Sequence, residues 1–270
     1  MTPRTAHTLR GTLCGLALLP LAACGGGDAG TTTTGTTVTG SESPAAVELT
    51  VLAAASLQET FTTIAEDFEA ANPGVTVTLS FGPSSGLATQ ITNGAPADVF
   101  ASASVKTMDT VVEAGKASDP ATFARNQMEI ATPADNPAGI DELTDLADPE
   151  VKVAICAAEV PCGVGAATVF ENAALDVTPV SEETDVKAVL TKVRLGEVDA
   201  GIVYATDVNA AGADVVGVPI DADINAWTSY PIAALTDSAS ADAAADFVAY
   251  VVSAPAAEIL TEAGFAPPEG

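Results

Sequence analysis

Positive charge and histidine are scarce in this chain. Its 270 residues include 36 acidic but only 9 basic side chains, which gives a net charge of −27. Two of the basic residues, Arg4 and Arg10, and the only histidine, His7, stand within the first ten positions. A surface this acidic repels phosphate backbones and anionic lipid headgroups. The composition therefore excludes nucleic acid and anionic membrane surfaces as partners of the body of the protein.

The parts of common enzyme sites are also lacking. A serine nucleophile requires a neighbouring base, and the sequence has no histidine after His7. Gly86 and its neighbours form neither a P-loop nor a G-x-G-x-x-G fingerprint. We therefore predict that the protein is not an enzyme, with a serine hydrolase as the alternative from another functional class.

The first residues have the form of an export signal. A positively charged start precedes a short apolar run over residues 13–19, which is too short for a membrane span. Leu21-Ala22-Ala23-Cys24 resembles a bacterial lipobox, whose cysteine is acylated and becomes the mature N-terminus. We predict a signal peptide over residues 1–23 and lipidation of Cys24, so that the exported protein is anchored to the outer face of the cell membrane. The alternative is an ordinary secretory signal with an incidental cysteine.

Residues 24–46 are rich in Gly, Thr and Ser and contain almost no apolar side chains. Such a segment cannot bury enough apolar surface to offset the entropy lost on ordering. We predict a flexible tether here.

Two cysteines remain after the signal and the lipidation site. Cys156 and Cys162 lie six positions apart in a protein that is exported to an oxidising compartment. A disulfide between them is predicted, and it would contribute about 2 kcal/mol in the chain-entropy picture. The alternative is a pair of metal ligands, although no histidine is left to complete a Cys/His site; we expect no metal site.

Apolar periodicity predicts an α/β fold. Strand and helix patterns alternate over residues 48–115, which favours a parallel sheet with helices on its faces. A strand over residues 127–131 leads into a second alternating series, and two helices close the chain. We predict two lobes with a ligand cleft between them, each lobe a mostly parallel sheet flanked by helices. The first lobe comprises residues 47–129 plus 229–270, and the second comprises residues 130–228.

Two serines stand where a predicted strand gives way to a helix. Ser56 begins Ser56-Leu57-Gln58-Glu59, which has the form of a capping box. Ser84 follows Gly82-Pro83 after an apolar run. The first N–H groups of a helix suit an anion, so each serine is predicted either to cap its helix or to bind a ligand there.

Several segments of the chain, spread over residues 47–266, resemble the molybdate-binding proteins of ABC transporters. The resemblance lies in Val51-Leu52-Ala53-Ala54-Ala55-Ser56-Leu57, Ser80-Phe81-Gly82-Pro83-Ser84-Ser85-Gly86-Leu87-Ala88, Gly94-Ala95-Pro96-Ala97-Asp98-Val99-Phe100, Val160-Pro161-Cys162-Gly163, Asp185-Val186, Gly196-Glu197-Val198-Asp199-Ala200-Gly201-Ile202-Val203-Tyr204-Ala205-Thr206-Asp207 and Ala263-Gly264-Phe265. It implies a type II periplasmic-binding-protein fold, in which two α/β lobes close over a tetrahedral oxyanion. The cysteine at position 162 departs from the family, which has a small residue such as alanine there.

The resemblance also implies the ligand-binding residues. Hydroxyl donors would be Ser56, Ser84 and Tyr204, and backbone N–H donors would be Cys162 and Val186, with Ser85 as an additional candidate.

The implied function is the capture of molybdate, and of tungstate as well, for delivery to an ABC permease in the membrane. No cofactor is expected, and a monomer is expected. A receptor of the same fold for another oxyanion, such as sulfate, is the alternative within this class.

Overall fold

The computed structural model describes residues 46–269. The predicted signal peptide, Cys24 and nearly all of the predicted tether lie outside the described residues. Within residues 46–269, nine strands form one sheet in the order β2-β1-β3-β9-β4-β7-β5-β6, and β8 pairs with β4. The strands are β1 (Val47–Ala54), β2 (Val75–Gly82), β3 (Val99–Ala101), β4 (Ala121–Pro133), β5 (Val153–Cys156), β6 (Ser181–Glu183), β7 (Ala200–Tyr204), β8 (Val215–Pro219) and β9 (Trp227–Ala234).

Eight α-helices of the described part of the chain flank this sheet. They are α1 (Gln58–Ala71), α2 (Ser84–Thr92), α3 (Val105–Glu113), α4 (Pro161–Asn172), α5 (Val186–Arg194), α6 (Ala205–Ala211), α7 (Ala241–Val251) and α8 (Ala254–Glu262). In the described part of the chain no single helix is long and apolar enough to cross a membrane; only α7 and α8 taken together reach that length and composition, with a 56° bend between them.

Parallel pairing dominates at the two ends of the sheet. Strand β1 pairs in parallel with β2 and with β3, and β5 pairs in parallel with β6 and with β7. These pairs follow from the alternation of strands and helices along the chain, because a helical crossover returns each strand in the same direction. The α/β fold predicted from the sequence is confirmed.

Two long antiparallel strands join the two ends of the sheet. The first half of β4 pairs with β9 over residues 121–127, and its second half pairs with β7 and β8 over residues 128–133. The sequence prediction of a strand over 127–131 was too short, because the polar residues Arg125 and Asn126 interrupt the apolar pattern inside β4. A single strand therefore carries the chain from one part of the core to the other.

The hydrophobic core falls into three clusters. Two of them draw on residues 49–124 and 230–265, and the third draws on residues 128–220 together with Ala55. We refer to the elements packed on the first two clusters (α1–α3, α7, α8, β1–β3 and β9) as the first lobe, and to those packed on the third (α4–α6 and β5–β8) as the second lobe. The boundaries 129/130 and 228/229 stay a prediction.

Helix α4 begins earlier than its apolar pattern indicates. The pattern predicts a start at Ala166, whereas the helix starts at Pro161. Proline is well suited to a first helical position because its missing N–H would have no partner there. The early start of α4 brings Cys162 into a helix N-terminus.

Strand β6, helix α6 and the short 3-10 helices were not predicted, since each is too short to show a period.

Candidate functional site

A small cavity lies between the two lobes. Its volume is about 10 Å³, which is close to the room that one water molecule needs. Its walls come from the ends of strands and the beginnings of helices. They are formed by Ala54, Ala55, Ser56, Gly82, Pro83, Ser84, Ala103, Val160, Pro161, Cys162, Asp185, Val186 and Tyr204. In this conformation the cavity excludes a sugar or a peptide.

Ser56 forms part of the first-lobe wall. It lies in a short 3-10 turn after β1 and is buried. Its Oγ is 2.9 Å from the phenolic oxygen of Tyr230. The predicted capping box was wrong: the N-cap of α1 is Leu57, and no side chain caps it. The extra 3-10 turn moves Ser56 off the helix end, so its hydroxyl is available to the cavity.

Ser84 is the first residue of α2 and is also buried. Its Oγ accepts a hydrogen bond from the N–H of Ala103 at 3.0 Å. Because the oxygen is used as an acceptor, the hydroxyl hydrogen remains free to be donated into the cavity. The first helical hydrogen bond runs from Leu87 N–H to Pro83 C=O, at 2.9 Å. The N–H groups of residues 84–86 therefore have no partner inside the helix.

The turn around Ser84 has the spacing of a nucleophile elbow, G-x-S-x-G, over Gly82-Pro83-Ser84-Ser85-Gly86. It also joins a strand to a helix, as such an elbow does. A nucleophile still requires a base, and the only histidine of the chain is His7. In the structure, the backbone N–H of Ala103 donates a hydrogen bond to Ser84 Oγ. An N–H group cannot accept the proton of the serine, so it cannot serve as the base. The turn is therefore arranged as a donor to an anion.

The N-terminus of α4 forms part of the opposite wall. Cys162 is joined to Cys156 at the end of β5 by a disulfide, and the two Cα atoms are 5.6 Å apart. A Cβ at Gly163 would lie 2.0 Å from the carbonyl oxygen of Ala157, so only glycine permits this close approach. The first helical bond of α4 is donated by Val164 to Val160. The N–H groups of Cys162 and Gly163 are therefore left for another acceptor.

Helix α5 presents its N-terminus to the same cavity. Asp185 is the N-cap, and its Oδ1 accepts from the N–H of Ala188 at 3.0 Å. Because Asp185 satisfies the third N–H of the helix, those of Val186 and Lys187 remain before the first helical bond, which Val189 donates. Val186 lines the cavity. Three helices thus bring their positive ends to one place.

Tyr204 supplies a hydroxyl from the end of β7. The residue is only 1% exposed and lines the cavity. Within the described part of the chain its phenolic oxygen has no hydrogen-bond partner of acceptable geometry. Burial raises the pKa of Tyr204 well above its usual value, so the phenol remains neutral. A buried hydroxyl without a protein partner is costly, so this group is available to a ligand oxygen.

Basic side chains are absent from the cavity wall as the structure describes it, and Asp185 is its only charged residue. The described residues also hold no group of three or more potential metal ligands. Apart from Asp185, whose Oδ1 caps α5, the polar groups of the site are neutral hydroxyls and N–H groups, with helix dipoles directed inward. Such a site stabilises an anion without introducing a counter-charge.

The structure brings together five of the residues predicted from the sequence: Ser56, Ser84, Cys162, Val186 and Tyr204. Ser85 is not among the lining residues; it occupies the second position of α2, beside the cavity wall. Sequence reasoning missed Tyr230 and Ala103, which contact the two serines. No motif marks either residue, because both reach the site by tertiary packing.

A two-lobed α/β fold with a donor-lined cavity between its lobes defines a solute-binding protein. The chain belongs to the family of bacterial extracellular solute-binding proteins, whose family model matches residues 49–266.

Molybdate-binding protein ModA of Mycobacterium tuberculosis H37Rv is 42% identical to this chain over 239 residues, which cover 85% of this chain and 92% of that protein. ModA of Escherichia coli K12 is 34% identical over 236 residues, covering 81% and 88%. The periplasmic molybdate-binding protein of Azotobacter vinelandii has the same fold, with a TM-score of 0.73 at 22% identity, over 82% of this chain and 100% of that one.

Proposed function

We propose that this protein is the molybdate receptor of an ABC importer and that it also binds tungstate. The observation that carries the proposal is the buried hydroxyl of Tyr204, which has no hydrogen-bond partner of good geometry among the described residues and lines a cavity whose donors are neutral. The relatives at 42% and 34% identity are molybdate-binding proteins, and their identity supports the choice of ligand.

The donor set fits the chemistry of the ion. Molybdate at neutral pH is fully deprotonated, so each of its oxygens can only accept hydrogen bonds. Hydroxyls of Ser56, Ser84 and Tyr204 and N–H groups of Cys162 and Val186 would supply five donors. Hydrogen bonds to a charged partner contribute about 1.5–3 kcal/mol each. Their sum offsets the desolvation of the ion and leaves the roughly −8 to −12 kcal/mol of a micromolar-to-nanomolar complex.

The local donors must overcome the field of the whole molecule. A chain with a net charge of −27 repels a dianion at long range. Salt screens that repulsion over about 10 Å at moderate ionic strength, whereas the cavity acts at contact distance and in a low dielectric. Affinity therefore arises from the helix starts and hydroxyls, and the acidic surface opposes it chiefly by slowing the approach of the ion.

The remaining parts of the proposal concern the setting of the receptor. The exported protein would be anchored through Cys24 to the outer face of the cell membrane, would act as a monomer without a cofactor, and would deliver its ion to a membrane permease. It would catalyse no reaction. Incorporation of radiolabelled fatty acid into the exported protein, measured for the natural chain and for Cys24→Ser, tests the anchor independently of the ligand: label on the natural chain alone is expected, and an unlabelled natural chain would contradict the anchor.

A thermal-shift comparison tests the ligand. The melting temperature should rise with molybdate and with tungstate, because both are dianionic tetrahedral ions of nearly the same size. Sulfate has the same charge and shape but is smaller, and phosphate carries a proton at neutral pH, which suits a site made mainly of donors less well. Equal or larger shifts with sulfate would favour a receptor for that ion. No shift with any oxyanion would overturn the proposed function.

A further inference from the structure

Tyr230 lies directly behind the cavity and is fully buried on β9. Its hydroxyl contacts Ser56 Oγ in the first lobe at 2.9 Å. Its ring meets the ring of Tyr204 edge to face, with centroids 6.1 Å apart. Tyr230 is absent from the cavity wall itself, yet it touches a hydroxyl-bearing residue on each of the two walls. We propose that Tyr230 is a positioning residue that directs both hydroxyls towards the bound anion; this inference rests on the proposed function.

The direction of the bond between Tyr230 and Ser56 follows from the ligand. A serine hydroxyl has one hydrogen and two lone pairs, and an ion that only accepts hydrogen bonds requires that hydrogen. Tyr230 must then be the donor to Ser56 Oγ. Burial raises the pKa of Tyr230, so its phenolic proton is retained throughout the range in which the protein works. The result is a chain of donors from Tyr230 to Ser56 to the anion, in which each bond polarises the next.

The ring of Tyr230 acts separately from its hydroxyl. It is held by edge-to-face contacts with Phe123 at 6.2 Å and with Phe265 at 5.3 Å. A side chain fixed in this way restricts the ring of Tyr204. Among the described residues, no group of suitable hydrogen-bond geometry holds the hydroxyl of Tyr204. The ring of Tyr230 therefore helps to orient Tyr204 by packing against it.

The two roles can be separated by substitution. Tyr230→Phe removes the hydroxyl and keeps the ring, so molybdate affinity should fall about three- to tenfold, as expected for the loss of one hydrogen bond. Tyr230→Leu removes both and should lower the affinity further. The matched control is Tyr250→Phe on α7, whose ring packs on Phe68 in the first-lobe core; its affinity should equal that of the natural chain.

A double-mutant cycle distinguishes positioning from a general structural effect. In a Ser56→Ala background the serine hydroxyl that Tyr230 directs is already gone. Adding Tyr230→Phe should then lower the molybdate affinity by less than a further factor of about two. An equal loss in both backgrounds, or unchanged affinity in Tyr230→Phe, would overturn the inference. If the natural chain itself bound no molybdate, the proposed function would fail instead.

Nuclear magnetic resonance of the natural chain supplies a measurement that needs no variant. The phenolic proton of Tyr230 is shielded from water, and it should move downfield when molybdate is added, since the chain of donors is then polarised. A resonance that stays in place on saturation with molybdate would contradict the proposed direction of the bond.

Discussion

The ammonium nitrogen of Lys187 lies 2.9 Å from Oδ1 of Asp207, a carboxylate with no exposed surface. The same nitrogen lies 2.8 Å from Oε2 of Glu59 on α1. Burial alone would lower the pKa of Lys187, but the two carboxylates outweigh it and raise that pKa. Because Glu59 belongs to the first lobe and the other two residues belong to the second, this triad links the lobes beside the cavity.

Removing the cation should destabilise the fold. Lys187→Met leaves the buried carboxylate of Asp207 without a counter-charge, which typically costs about 3–5 kcal/mol. Urea denaturation of the natural chain and the variant measures the difference in the free energy of unfolding. The control is Lys116→Met, whose partner Asp237 is 71% exposed and whose loss should stay within about 1 kcal/mol. Similar losses for the two variants would contradict a special role for Lys187.

The two serines at the start of α2 offer a matched pair. Ser84→Ala removes a hydroxyl from the cavity wall and should weaken molybdate binding more than tenfold, in line with about 1.5–3 kcal/mol for a hydrogen bond to a charged partner. Ser85→Ala makes the same chemical change outside the wall and should leave the affinity unchanged. Equilibrium dialysis measures both variants. If Ser85→Ala proved the more damaging, the register of the turn would be assigned wrongly.

The disulfide should stabilise both the fold and the site. Its loop closes the turn that carries the N–H of Cys162, so replacing both cysteines by serine should lower the free energy of unfolding by about 2 kcal/mol. Molybdate affinity should fall as well, because the N–H is then less well held. Mass spectrometry of the exported protein should find no free thiol at either position. Two free thiols, or a variant with unchanged stability and affinity, would contradict this role.

Much of the fold could be predicted from periodicity. Strands β1, β2 and β7 and helices α1 and α5 are apolar at the expected spacing, and their order along the chain implies the parallel pairs. The predictions fail where polar residues lie inside a strand that runs from one lobe to the other, as in β4. Arg125 and Asn126 lie inside β4, and the buried amide of Asn126 is satisfied by donating to Thr206 Oγ1 at 2.8 Å. No local pattern anticipates a partner 80 positions away.

The candidate site was predicted by resemblance and by order along the chain rather than by local chemistry. Ser56 shows why: its capping pattern was misleading, because a 3-10 turn places Leu57 at the N-cap instead. The contact of Ser56 with Tyr230 spans 174 positions, and the fold alone creates it. That the five lining residues bind an ion stays a prediction.

The pH dependence of binding follows from Tyr204. Burial raises its pKa in the folded protein. The phenol therefore stays a neutral donor even at a pH above about 10, the usual pKa of tyrosine. Molybdate affinity should therefore be constant from about pH 7 to pH 10. A lowered pKa would have the opposite effect, since a phenolate in the cavity would repel the ion as the pH rose. Titrations across this range decide between the two.

Calorimetric titration of the natural chain with molybdate, followed by sulfate, tests the central claim most directly. The account predicts one ion per chain, a dissociation constant in the micromolar range or tighter, and a much weaker response to sulfate. Absence of binding heat with molybdate at several temperatures, or sulfate bound as tightly as molybdate, would contradict it.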